Sequence, residues 1–229
     1  MYRKILTFFI IISVLLVSCK SSDEEYRKRD KDIDNELESL DDSYRQLIRN
    51  IYEADTDDIL VYETYFEDGS LLEKTMNKIW KDREISYRKN LYDSLNPVET
   101  IYLFEKDEGY YIDLSSNEFS KKDGLHNERR EEYNNTKYKD LSILYEIMQN
   151  KNMSSIEKGA DNTKIIFDDD TYRIYDEDYI LIEKTENSEG SYTKTVLVDR
   201  LEDPDKIFDD YMADTVNMTE VSEVEDMKK

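Results

Sequence analysis

Hydrophobic residues recur along the chain with two different spacings, and the first is helical. From Ile33 they follow one another at steps of four, three, four, three, one and three residues; the positions are Ile33, Leu37, Leu40, Tyr44, Leu47, Ile48 and Ile51. This spacing places them in one stripe along a helix, and acidic residues fill the opposite side. The pattern predicts an amphipathic helix over residues 32–52.

Short alternating segments rich in β-branched and aromatic residues follow this helix. Turn residues such as Asp68-Gly69-Ser70 separate them. The first series of predicted strands covers residues 59–66, 71–82, 83–91, 99–105, 110–114 and 118–121. Strands joined by short turns indicate an antiparallel meander, because parallel strands need long crossover connections.

A second helical stretch and a second series of strands complete the pattern. Residues 139–149 place Leu141, Leu144, Tyr145 and Met148 on one helix face. The second series of predicted strands covers residues 163–167, 171–175, 179–184 and 191–198. Asp203-Pro204 then predicts the start of a short helix over residues 205–213, and the acidic remainder, 214–229, is predicted to be a disordered tail.

The N-terminus has the pattern of an export signal. Arg3 and Lys4 precede an apolar run over residues 5–17. That run is shorter than the roughly 20 residues of a membrane-spanning helix and fits a secretory signal. The residues that end it, Leu16-Val17-Ser18-Cys19, are typical of a bacterial lipobox.

A lipobox predicts that residues 1–18 are a removed signal peptide and that Cys19 carries the lipid. Residues 19–31 then form a polar, lipidated tether, and the protein lies in the bacterial cell envelope on the exported side of the membrane. Two or three acyl chains hold a protein durably at a membrane, whereas one chain does so only marginally. The alternative is an ordinary Cys19 thiol in an uncleaved anchor. Cys19 is the only cysteine, so no disulfide within one chain is possible.

Charge narrows the range of partners. The chain has 55 acidic and 32 basic residues and a formal net charge of −23. Such a body repels nucleic acid and anionic lipid headgroups, so the predicted membrane link is the N-terminal acyl anchor and no nucleic-acid partner is expected. The 19 tyrosines and 7 phenylalanines argue against a disordered chain and favour a folded domain over residues 32–213.

No residue pattern indicates catalysis. His126, the only histidine, lies in a polar stretch, and no serine has a Gly-x-Ser-x-Gly surrounding. Asp168-Asp169-Asp170 lacks the spacing of a calcium loop, so a charged turn is predicted there. With 55 acidic residues no particular carboxylate pair stands out, and a glycan-processing enzyme stays a minor alternative. We expect a non-enzymatic protein without metal or cofactor.

The order of elements resembles the lipoprotein-carrier superfamily of LolA and LolB, including lipid-anchored relatives such as a germination lipoprotein of spore-forming bacteria. The match extends from the lipobox to Asp203-Pro-Asp-Lys-Ile-Phe208 and is strongest over residues 59–122, with Tyr110-Tyr-Ile-Asp-Leu114 and Asn117-Glu-Phe-Ser-Lys121. The resemblance implies an α+β fold: an incomplete, strongly curved antiparallel β-barrel, or half-barrel, with helices plugging its open mouth. The gating arginine of the carriers has no assigned counterpart here.

The resemblance also implies a function and a site. A lipid-anchored envelope protein of this kind would hold a lipid, an acyl chain or an apolar protein segment in a cleft. The candidate cleft residues are the aromatic residues Tyr62, Phe66, Trp80, Tyr102, Phe104 and Tyr111, and Trp80 fluorescence is expected to respond to an apolar ligand. Two alternatives remain: the rings are ordinary cross-strand pairs, or the protein is an interaction subunit whose own helices fill the cavity.

Replacing the lipidated residue tests the anchor. Cys19→Ser is expected to leave an unprocessed precursor that no longer incorporates a fatty-acid label, because the thiol is the acceptor of the diacylglyceryl group. Metabolic palmitate labelling of the variant beside the wild-type chain measures this. Normal labelling of Cys19→Ser would contradict the assignment.

Overall fold

The computed structural model describes residues 27–35, 37–38, 40–92, 97–123, 153–188 and 191–222. These residues belong to two compact units: a helical unit, up to Glu53, and a sheet unit, from Ala54 onward. The predicted signal peptide, Cys19, His126 and the predicted helix over 139–149 lie outside the described residues.

Among the described residues of the helical unit there are two helical segments where the sequence predicts one continuous helix. Residues 27–35 are helical, although the first five belong to the predicted tether, and α1 spans Asp42–Glu53. The predicted apolar stripe is buried in both segments, at Ile33, Leu37, Leu47 and Ile48. The stripe is therefore confirmed and the continuous helix is wrong.

Arg45 explains the interruption between the two helical segments. Its guanidinium donates hydrogen bonds to the main-chain carbonyl oxygens of Leu37 at 3.2 Å, Glu38 at 3.3 Å and Leu40 at 2.9 Å. The last carbonyl groups of a helix accept no hydrogen bond from within the helix and need a donor from elsewhere. Arg45, the fourth residue of α1, supplies that donor from the following helix. The first helical segment can therefore end there.

The sheet unit is built on one open sheet of 12 strands among the described residues. The strands are β1 Ile59–Phe66, β2 Leu71–Trp80, β3 Arg83–Asn90, β4 Val98–Glu105, β5 Glu108–Asp113, β6 Glu118–Asp123, β7 Met153–Lys158, β8 Asn162–Phe167, β9 Tyr172–Asp176, β10 Leu181–Ser188, β11 Ser191–Leu201 and β12 Thr219–Glu220.

Their order across the sheet is β12-β6-β5-β4-β3-β2-β1-β11-β10-β9-β8-β7. Each pair of neighbours is antiparallel except β12 and β6, which are parallel. No pairing between the described strands joins β7 to β12, so the sheet does not close into a barrel. The predicted α+β class and antiparallel meander are confirmed. Sequence analysis missed β7, whose polar Met-Ser-Ser-Ile-Glu-Lys lacks a clear alternation.

Two predicted turns are confirmed in their hydrogen bonding. In the first, Phe66 N–H donates to the Ser70 carbonyl at 2.9 Å, and Gly69 has a φ of 82°, which glycine adopts without steric cost. In the second, Phe167 N–H donates to the Thr171 carbonyl at 2.9 Å across the three aspartates. The acidic triplet is therefore a hairpin turn.

Registers between neighbouring strands fix which side chains share a face of the sheet. Val61 pairs with Met76, Met76 with Tyr87, Tyr87 with Ile101 and Ile101 with Ile112. Directly opposed residues point to the same side, and successive residues alternate. This row defines face A. The row of Leu60, Asn77, Ser86, Tyr102 and Tyr111, one residue out of phase, defines face B.

The helix α2, Pro204–Asp214, packs on face A. Phe208 is 1 % exposed and joins a buried cluster made by face A. The cluster consists of Ile59, Val61, Met76, Ile85, Tyr87, Ile101, Leu103, Ile112 and Phe208. Burial of this apolar area is the principal stabilising contribution of the contact, at roughly 25 cal/mol per Å².

The ends of α2 join it to the sheet on both sides. Asp203 caps the helix, as predicted, by accepting from the Lys206 N–H at 3.2 Å. After α2, residues 215–217 form a 3₁₀ turn, and Thr219 N–H donates to the Asn117 carbonyl at 3.1 Å to start β12. These residues belong to the stretch 214–229 predicted as a disordered tail; 223–229 lie outside the described residues.

The first stability test truncates Phe208, the buried side chain of α2. Phe208→Ala is expected to lower the free energy of unfolding by about 3–5 kcal/mol, because a fully buried ring is replaced by a cavity. Urea denaturation followed by circular dichroism measures this. The matched control is Tyr92→Ala, whose ring is 78 % exposed and whose loss is expected to cost less than about 0.5 kcal/mol. Equal losses in the two variants would contradict the packing described for α2.

Candidate ligand-binding face

Trp80 lies on face A and contacts α2. It is directly opposite Arg83, which lies on the same side of β3 as Ile85 and Tyr87. Its indole N–H donates to Asp205 Oδ1 at 3.0 Å, and its ring meets Phe208 edge-to-face with 6.0 Å between centroids. Trp80 is therefore half-buried against the helix, and its principal contacts are structural.

Charged residues surround this aromatic contact. The Arg83 guanidinium lies 4.6 Å from the centre of the Phe208 ring and forms ion pairs with Glu105 at 2.7 Å and with Asp205 and Asp209 at 3.1 Å each. The hydrogen bond from Trp80, followed by that from Lys81, holds the pKa of the Asp205 carboxyl below its usual value. The β2–β3 hairpin and the start of α2 are thus joined by opposite charges.

The other five candidate aromatic residues lie on face B. Tyr102 and Tyr111 are directly opposed, and Phe104 is two residues along the same strand. Tyr62 and Phe66 lie on β1 on the same face as Leu60, and they are opposite Leu197 and Thr193 of β11. None of the five belongs to the buried cluster under α2. The structure thus separates Trp80 from the residues with which sequence analysis grouped it.

On face B the aromatic rings form two groups. Tyr102 and Tyr111 stack at an angle with 4.6 Å between ring centroids, and both are half-buried, whereas Phe104 is 3 % exposed. Tyr62 and Phe66 lie on β1, and two strands, β2 and β3, intervene. Strands about 4.8 Å apart place the groups roughly 14 Å from each other.

The β1 group has its own fixed contacts. The Tyr62 hydroxyl donates to the Leu181 carbonyl at 2.9 Å, which connects β1 to the start of β10. Phe66 contacts Tyr92 with 6.2 Å between ring centroids, and Tyr92 is 78 % exposed. This end of face B therefore presents an aromatic surface to solvent.

Glu84 is a feature of face B that sequence analysis missed. It lies directly opposite Ile79 on one side and Phe104 on the other, and it is 1 % exposed. Burial, and to a lesser degree the Glu84 carboxylate, raises the pKa of Tyr111. A glutamate between arginine and isoleucine in an alternating strand gives no signal of burial, because charge ordinarily marks the solvent side.

The described residues contain no cluster of three or more His, Cys, Asp or Glu side chains arranged to hold a metal ion. Within the same residues, no helix combines the length and the apolar character needed to cross a membrane.

Comparison with known proteins adds no assignment. No protein-family model matches the chain, and no curated protein matches it. The geometry of the two sheet faces is therefore the basis for a functional proposal.

Acid should weaken the contact between α2 and the sheet. Because the Asp205 pKa lies below 3.8 in the folded chain, its stabilising contribution is present above that pH and is lost as pH falls through the folded pKa. Asp205→Asn is expected to lower the free energy of unfolding at pH 7, and the difference from wild type should shrink as the pH falls below 3.8. Denaturation series at several pH values measure it.

The control for this titration is Asp210→Asn, an exposed carboxylate on the same helix. It should change stability little at any pH. A deficit of Asp205→Asn that stays constant from pH 7 down to the most acidic pH at which both proteins still fold would contradict a role for its charge.

Proposed function

We propose that the chain is a lipid-anchored binding protein of the cell envelope that holds a lipid, an acyl chain or an apolar protein segment against face B. The observation that carries the proposal is the separation of the two faces. The cluster that stabilises the sheet unit lies on face A under α2, while five candidate rings lie on face B outside it.

Aromatic rings in half-exposed positions suit an apolar ligand. Tyr102 and Tyr111 are half-buried, and each combines a large apolar ring surface with a polar hydroxyl group. Binding sites for small molecules are mostly apolar and carry a few polar groups that orient the ligand. The open sheet is proposed to curve around face B as a half-barrel, with helices at its mouth, as in the carriers that the sequence resembles.

The anchor completes the proposal. The lipobox supplies attachment through Cys19, and the charge of −23 keeps the body away from anionic headgroups. A tethered protein that is repelled by the membrane surface stays available to ligands in the surrounding envelope.

A second candidate function is a non-catalytic interaction subunit whose cavity is filled by its own side chains. Burial on face B favours it, because Phe104 is 3 % exposed, Ile79 8 % and Glu84 1 %. In that case the acidic exterior, rather than face B, would contact a basic partner.

A fatty-acid titration tests the proposal. A chain beginning at Lys20, which lacks the acylation site, is expected to bind a fluorescent fatty acid, and Tyr102→Ala should weaken binding by about tenfold through loss of ring contact. Affinity for unlabelled competitors should increase with chain length, by roughly 0.8 kcal/mol per buried methylene until the site is full.

The matched control is Tyr192→Ala, which removes a 37 % exposed ring from face A and should leave fatty-acid affinity unchanged. Trp80 emission is not expected to report binding, contrary to the expectation from sequence, because Trp80 lies on face A. Absence of binding in a folded chain would contradict the binding function and favour the filled cavity.

A further inference from the structure

A pocket lies on face A, beyond the area covered by the α2 cluster. Its volume is about 370 Å³, and it spans β1, β11 and β10 next to the turn that follows Phe66. Tyr65 and Thr185 both oppose Lys194, which places all three side chains on face A. Tyr192 and Val196 flank Lys194 on the same strand. This volume is in the lower part of the range of small-molecule sites, roughly 300–1,000 Å³.

Two tyrosine rings in this pocket are held in place by their hydroxyl groups. The Tyr65 hydroxyl donates to Glu63 at 2.5 Å, and the Tyr192 hydroxyl donates to the Asp169 carbonyl at 3.4 Å. A ring that is already oriented loses little conformational entropy when a ligand stacks on it. The rings therefore form prepared stacking surfaces.

The charges at this pocket are compensated within the sheet. Lys194 pairs with Glu183 at 3.0 Å, and Glu183 also accepts a hydrogen bond from Tyr172. Lys74 pairs with Glu63 at 3.5 Å. No uncompensated cation is offered to an anionic ligand, and the net charge of −23 repels anions in general. Because the charged side chains are already paired with one another, the pocket favours an uncharged ligand.

The remaining pocket groups favour a polar ligand over an acyl chain. Thr185, which carries a hydroxyl group on face A, and Glu67, which carries a carboxylate, also line the pocket. An acyl chain would remove these groups from water without replacing their hydrogen bonds, which is costly. A sugar ring presents a flat C–H face to an aromatic ring and hydroxyl groups at its edge, so it satisfies both parts of the surface.

We propose that this pocket binds an uncharged saccharide of one or two pyranose units. The pyranose faces stack on Tyr65 and Tyr192, and the hydroxyl groups bond to Thr185 and to the paired charges around Lys194. The site lies on the opposite face of the sheet from Tyr102 and Tyr111, so it does not depend on the function proposed for face B.

Titration with neutral oligosaccharides tests the assignment. The purified protein is mixed with chitotriose, maltotriose or cellotriose, and tyrosine ring resonances are followed by NMR. At least one of the three is expected to bind and to shift the Tyr65 and Tyr192 resonances. Tyr192→Ala should weaken binding by about tenfold, whereas Tyr192→Phe, which keeps the ring, should retain most of it.

Two further variants keep the test decisive. Val196→Phe, which enlarges a side chain that lines the pocket, should abolish saccharide binding without loss of a tyrosine, and Tyr102→Ala on face B should leave it unchanged. Thermal unfolding verifies that each variant is folded. No shift with any of the three sugars, or equal effects of Tyr102→Ala and Tyr192→Ala, would overturn the proposal, as would exclusive binding of a fatty acid at this pocket.

Discussion

The contact of Phe208 with Trp80 and Arg83 is the one on which the sheet unit depends. The ring is 1 % exposed, meets the indole edge-to-face and lies under the guanidinium. Because only a 3₁₀ turn and Met218 separate α2 from β12, this contact also brings the chain back to pair with β6. One buried aromatic side chain therefore connects a helix, a hairpin and an edge of the sheet.

In this arrangement the residues that stabilise the fold are different from the residues proposed to bind ligands. Face A under α2 contains the continuous apolar cluster, and substitutions there are expected to act on folding. Half-buried rings such as Tyr102 and Tyr111 on face B, and the pocket around Lys194 on face A, lie outside that cluster. Changes at these two places can alter binding while the fold persists, which is why the proposed functions are assigned to them.

Sequence patterns predicted well where the strands and helices lie along the chain. They predicted poorly which side chains share a face of the sheet. The first six strands and the Asp203 cap follow from alternation and turn residues, which are local. The face occupied by Trp80 depends on the registers of β2 with β3 and β1, which alternation within one strand does not determine. The helix break at Leu40 depends on a side chain, Arg45, that reaches back to carbonyl groups. The burial of Glu84 likewise depends on neighbouring strands rather than its own.

The position of a bound acyl chain relative to the two faces decides whether face B is the ligand-binding face. Intermolecular NOEs between a ¹³C-labelled fatty acid and the aromatic protons of the protein measure this position. Contacts are expected from the methylene groups to Tyr102 and Tyr111, and none to Trp80 or to Tyr110, which lies opposite Leu103 on face A. Contacts to Trp80 or Tyr110, or no contact with any aromatic ring at saturating fatty acid, would contradict this expectation.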